Sequence, residues 1–238
     1  MLTRGMVLAA LLLAVPSAVA SETTSTARSL LPELAEVNEP PLGSTRPSAR
    51  DNASPRARWE HRQDGELWTR VALSAIQTHG RPLMETVPRD IAEWCPAYPE
   101  NGAAERAAFW AGLLSTLARY ESTWNPRAVG GNGRWFGLLQ IYPPTAEFRN
   151  CRVQTGDGLK EASANLNCGV RIMATTVPRD NAISVQDTRW RGVAADWGPI
   201  RNAWMQKDMK RYTSRQTYCR RLSDVRPPRR VLPADSEE

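Results

Sequence analysis

The chain has 238 residues, 41% of them hydrophobic and 24% charged, and a formal net charge of +6. That length is enough to bury a core of good size. The mild basic excess suits an acidic polymer or surface, but the basic residues are scattered and no helix-turn-helix or RNP pattern occurs, so no nucleic-acid partner is expected.

Residues 1–20 read as a signal peptide. Arg4 supplies the basic start, Met6 to Val15 (MVLAALLLAV) is a compact apolar run, and Ala18-Val19-Ala20 is a small-x-small cleavage site. The run is too short to cross a bilayer as a folded helix, and no later stretch is long and apolar enough to do so. The mature chain is expected to be periplasmic or secreted, with no membrane span. Residues 21–64 are rich in Ser, Thr, Pro, Arg and Glu and lack an apolar period, which predicts a disordered lead-in. Residues 225–238 predict a disordered tail for the same reason.

The region between, residues 65–224, has helical periodicity and reads as one mainly α domain. Glu66 to Thr78 places Leu67, Trp68, Val71, Ala72, Ala75 and Ile76 on one face. Ala103 to Tyr120 carries a stripe from Ala104 through Ala107, Ala111, Leu114 and Ala118, with Asn101 as the expected N-cap. A proline opens a short helix at Pro144 to Phe148. Asp157 to Thr175 reads as a further helix, and Ile200 to Thr213 holds one or two short ones. Strand signals are weak; the loop Ala128 to Phe136 (AVGGNGRWF) is the one place for a small hairpin.

Four cysteines, Cys95, Cys151, Cys168 and Cys219, contain no C-x-x-C pair, and the histidines are His61 and His79 alone. A metal site has almost no ligands to draw on, and no cofactor is expected. Two disulfides fit an oxidising compartment. Three connectivities are open; Cys151–Cys168, which closes a short loop, and Cys95–Cys219, which ties the domain ends together, are preferred.

The chemistry centres on "RYESTWNP", Arg119 to Pro126. Glu121 sits where a helix must stop before Pro126. A helix C-terminus carries partial negative charge, and apolar bulk such as Trp124 or Phe136 would desolvate the carboxylate; both disfavour ionisation and keep a proton on the acid. The alternative is an exposed glutamate paired with Arg119 or Arg127. The glycine-rich loop is no phosphate cradle, since it has neither G-x-G-x-x-G nor Gly-Lys-Ser/Thr.

Further motifs favour the acid. Glu121-Ser122, with Trp124, Pro126 and Ala128, is followed by Gly137-Leu138-Leu139-Gln140-Ile141, by Pro144-Thr145-Ala146 and by Asn165-Leu166 with Gly169. This series resembles the catalytic domain of the Slt-type lytic transglycosylases, relatives of goose-type lysozyme, over Ala103 to Gly198. Leu139 stands where the family usually has Met. Ala195 stands where it has a cleft tyrosine, a role that Trp197 or Tyr142 is left to take.

The resemblance implies a lysozyme-like helical domain with a small loop or hairpin region lining a substrate cleft. It implies peptidoglycan glycan strands as substrate, with envelope or secretion-machinery proteins as possible partners. It also implies Glu121 as the catalytic acid and base, with Ser122, Gln140, Tyr142, Asn165 and Trp197 around the sugar. Trp124 and Trp135 are further candidates for stacking on sugar rings, whereas Trp68, Trp94 and Trp110 are expected in the core. A hydrolase on the same bond would want a second carboxylate, for which Asp196 and Asp157 are the candidates. A non-catalytic wall-binding protein is the reading from another class.

Overall fold

The computed structural model describes residues 54–221. The expected signal peptide, most of the lead-in and the whole expected tail lie outside them. Seven helices carry the described fold: α1 (Gly65–Gln77), α2 (Arg81–Glu85), α3 (Ile91–Trp94), α4 (Ala103–Ser122), α5 (Pro143–Phe148), α6 (Ala162–Asp180) and α7 (Ala203–Ser214). Helix α4 runs through the middle. Every residue from Ala107 to Ala118 is buried, because alanines, Gly112, Ser115 and Thr116 let α1, α2 and α7 approach it closely. A helix enclosed on all sides is apolar all round rather than striped, so the expected amphipathic pattern is only its visible part; Ala104, expected on the buried face, is exposed. Helix α6 packs on α1 and α2 and forms the second layer.

Trp68, Trp94 and Trp110 are in the core as expected, but several local expectations shift. Leu67 is 45% exposed at the edge of the α1 face. Asn101 does not cap α4: the cap position is Gly102, and the Asn101 amide donates to the Tyr218 carbonyl at 2.6 Å. The helix expected from Asp157 is interrupted. A 3-10 turn covers Gly158–Lys160, Glu161 is extended, and α6 then runs on to Asp180 through Pro178. The packed chain also begins earlier than residue 65. Ala57 and Trp59 are buried, and the Trp59 indole donates to Thr69 Oγ1 at 2.8 Å. One aromatic anchor in a polar stretch leaves no period to read, which is why this segment resembles a lead-in.

Two small antiparallel hairpins complete the fold. The expected one pairs β1 (Val129–Gly130) with β2 (Trp135–Phe136). The other, β3 (Ser184–Gln186) with β4 (Trp190–Gly192), has no alternating apolar signal. It is held instead by Asp90, whose carboxylate accepts from the Ile183 and Ser184 backbone amides at 2.8 Å each. Both preferred disulfides are present. Cys95–Cys219 ties the end of α3 to a turn after α7, and Cys151–Cys168 ties the chain after α5 to α6. Among the described residues, no helix is long and apolar enough to cross a membrane.

Candidate active site

Glu121 occupies the last turn of α4, half-buried. The helix stops because Thr123 and Trp124 both turn left-handed, with φ of 53° and 57°. The freed amides fold back onto the helix: Thr123 N–H donates to Arg119 O at 3.0 Å and Trp124 N–H to Ala118 O at 3.2 Å. The first of these is the bond of a left-handed C-cap, here made at a residue other than glycine. A β-branched residue at positive φ is strained and is held only by its surroundings. Trp124 helps to hold it, since its indole donates to Ser115 O at 2.9 Å and its ring meets His61 edge-on at 4.5 Å. Expected as a sugar platform, Trp124 instead clamps the helix end.

No ion pair or hydrogen bond reaches the Glu121 carboxylate from the described residues. Arg119, a partner in the alternative reading, is drawn away to Asp208 at 3.7 Å. Burial alone therefore pushes the Glu121 carboxyl from 4.5 up to about 8. Asp208 collects cations on the far side of this helix end. It accepts from Arg58, from Tyr120 Oη at 2.6 Å and from Arg211 at 2.7 Å. Burial opposes ionisation of Asp208, but those bonds outweigh it and hold its carboxyl well below the usual range. One acid thus absorbs the neighbouring charge and the other is left without any.

The remaining motifs converge on two residues, Leu138 and Leu139. Ser122 Oγ donates to Leu138 O at 2.9 Å. Leu139 N–H donates to Asn165 Oδ1 at 2.9 Å, and the Trp197 indole donates to Leu139 O at 2.9 Å. Asn165 is fully enclosed, and its amide also donates to Phe136 O and Leu159 O at 2.9 Å each. Gly137 must be glycine here: its φ is +78°, and a Cβ would run into Leu159 O and the Asn165 amide. Gly169, four residues beyond Asn165 on α6, leaves room for the Leu139 side chain.

The expected substrate residues therefore divide. Ser122, Asn165 and Trp197 spend their polar groups on backbone, and they bracket the Leu138–Leu139 turn rather than offer a sugar ligand. Gln140 and Tyr142 line a groove of about 140 Å³ together with Trp135, Thr145, Asp196 and one edge of Trp197. The Gln140 amide nitrogen is tied to Ala128 O and Gly137 O, which leaves its Oε1 for another partner. Trp135 and Tyr142 are 42% and 41% exposed, as stacking surfaces must be. Asp196 lies on the same groove. Burial raises its carboxyl, and Arg149 and Arg179 pull it partly back. Asp157 is fully exposed and bound to Lys160 at 2.8 Å. The Asp208 network had no sequence signal, since its members are spread from Arg58 to Arg211.

The transglycosylase SLT domain model matches residues 99–195. No curated protein matches the chain. Among solved structures, wild-type DslA is 28% identical, with a TM-score of 0.65 over 70% of this chain and 99% of that one. Two glutamate-to-glutamine variants of DslA match at 28% and 27% identity with the same coverage. The matched segment begins before α4 and stops just short of Asp196, so it contains Glu121, the Leu138–Leu139 turn and its Asn165 bracket. Residues 99–195 thus match the transglycosylase SLT domain family.

Proposed function

We propose that this protein is a peptidoglycan lytic transglycosylase that uses Glu121 as its single acid and base. The bond cut is the β-1,4 link between N-acetylmuramic acid and N-acetylglucosamine. The reading rests on a glutamate kept protonated near neutral pH by burial, with no cation beside it, at the edge of a motif-built turn. Protonated Glu121 gives its proton to the departing glycosidic oxygen and becomes a carboxylate. That carboxylate takes the proton from the muramoyl 6-hydroxyl as this oxygen closes on the anomeric carbon, which restores the acid and leaves a 1,6-anhydro ring. Because the nucleophile is internal, one carboxylate suffices. Gln140 Oε1 accepts a sugar hydroxyl or amide N–H, and Trp135 and Tyr142 pack on sugar faces. The expected leader, the two disulfides and the proposed wall substrate all support a mature domain outside the cytoplasm.

Asp196 on the groove is the one observation that favours hydrolysis instead. Mass analysis of the muropeptides released by the mature protein separates the two. Products lighter by one water than the hydrolysed ones support the transglycosylase; hydrated products would make this a two-carboxylate hydrolase, and intact walls would leave a binding protein.

A further inference from the structure

A cavity of about 500 Å³ lies away from Glu121. It opens beside the Cys151–Cys168 disulfide, between the chain after α5 and the first turns of α6. Arg152 and Arg171 line it, and neither has an ion pair among the described residues. Glu161, likewise unpaired, stands on the same wall. Val153, Ala164 and the buried disulfide supply apolar lining. His79 closes one side: its Nε2 donates to Asn167 O at 3.1 Å, which fixes the loop after α1 against α6. Arg171 is the chain neighbour of Ile172, which lines the groove holding Gln140 and Asp196.

A cavity with two free guanidinium groups, one free carboxylate and small apolar walls selects a particular chemistry. Guanidinium groups bind carboxylates through paired, charge-assisted hydrogen bonds. The carboxylate suits an ammonium, and the apolar walls suit methyl groups. A peptide stem of the cell wall has these features together: alanine methyls, several carboxylates and, in many walls, the free amine of a diamino acid. We propose that this cavity holds the peptide stem of a glycan strand lying in the groove, with Arg152 and Arg171 on its carboxylates and Glu161 on its amine. This rests on the wall-cleaving reading above, and it adds that the enzyme recognises the stem as well as the sugar.

The probe is the free tetrapeptide alanyl-glutamyl-diaminopimelyl-alanine, titrated calorimetrically into the mature protein. Binding should weaken about ten-fold or more in the double variant Arg152→Gln/Arg171→Gln, and equally when the peptide's carboxylates are amidated. Both arginines are at the surface, and unchanged thermal melting of the variant checks that it is folded. On whole walls the variant should raise KM more than it lowers kcat, and the wild-type preference for walls over strands stripped of their stems should shrink. No tetrapeptide binding, or equal binding by the variant, overturns the proposal even if walls are cleaved. Tetrapeptide binding by a protein that cleaves nothing would uphold the cavity and sink the proposed activity instead.

Discussion

Glu121 and Asp196 are both recessed carboxylic acids with raised pKa values, but their surroundings differ. Around Glu121 burial acts alone, because Asp208 has gathered Arg58, Arg119 and Arg211 elsewhere. Around Asp196 burial is contested. Arg149 lies 4.0 Å away, with a buried Nε that has no partner of its own, and Arg179 adds a weaker pull. Burial without a counter-charge favours a proton donor near neutral pH; burial beside a cation has part of its upward push cancelled. The two therefore suit different tasks, proton transfer at Glu121 and charge or hydrogen-bond complementarity at Asp196.

The largest effect should come from Glu121→Gln. The amide keeps the size but transfers no proton, and since the proposed mechanism gives both transfers to this one residue, wall cleavage should fall by about 10⁴-fold or more. The wild-type rate should decline as pH rises through about 8, where the donor is lost. Retained activity in the variant would remove the distinction between the two acids.

Asn165→Leu tests the scaffold rather than the acids. It leaves the Leu139 amide and the Phe136 and Leu159 carbonyls short of partners in the interior. The cost should be about 3 kcal/mol, or roughly 6–12 °C in Tm for a domain of this size. A Tm within a degree or two of wild type would show that the bracket is dispensable.

A third prediction concerns stability against pH. Folded Glu121 binds its proton more tightly than unfolded Glu121, so stability from this group is complete below its ordinary pKa of 4.5 and is lost as pH climbs to about 8. Glu121→Gln has no charge to bury. It should melt higher than wild type at pH 9 and within a few degrees of it at pH 4, as calorimetry at the two pH values would show. The inactive protein should thus be the more stable one under alkaline conditions, the usual trade at a strained, desolvated site. Smallest of all, Asp196→Asn should lower the rate by less than about ten-fold if the nucleophile is the sugar's own hydroxyl. A loss as large as that of Glu121→Gln would put both acids in the reaction.

Much of this was legible in the residues. The helix end, the proline beyond it and the ordered motifs single out Glu121, and the cysteine spacing favours the two disulfides the fold contains. Polar motif residues proved harder to read. Ser122, Asn165 and Trp197 look like sugar ligands, because a residue that brackets backbone and one that holds substrate have the same side-chain chemistry; only the partner tells them apart. Trp59 and the β3–β4 hairpin were hidden because single anchors and backbone contacts with Asp90 have no periodicity. The cleft wall at Ala195 is met by a groove of Tyr142, Trp197 and Asp196 that no single motif spells out.

The most direct test follows the Glu121 carboxyl itself by ¹³C NMR in glutamate-labelled protein, with the resonance assigned by its absence from Glu121→Gln. A midpoint near 8 is expected. A midpoint near the ordinary 4.5 would mean that the carboxylate is charged at neutral pH, and the single-acid mechanism would fail.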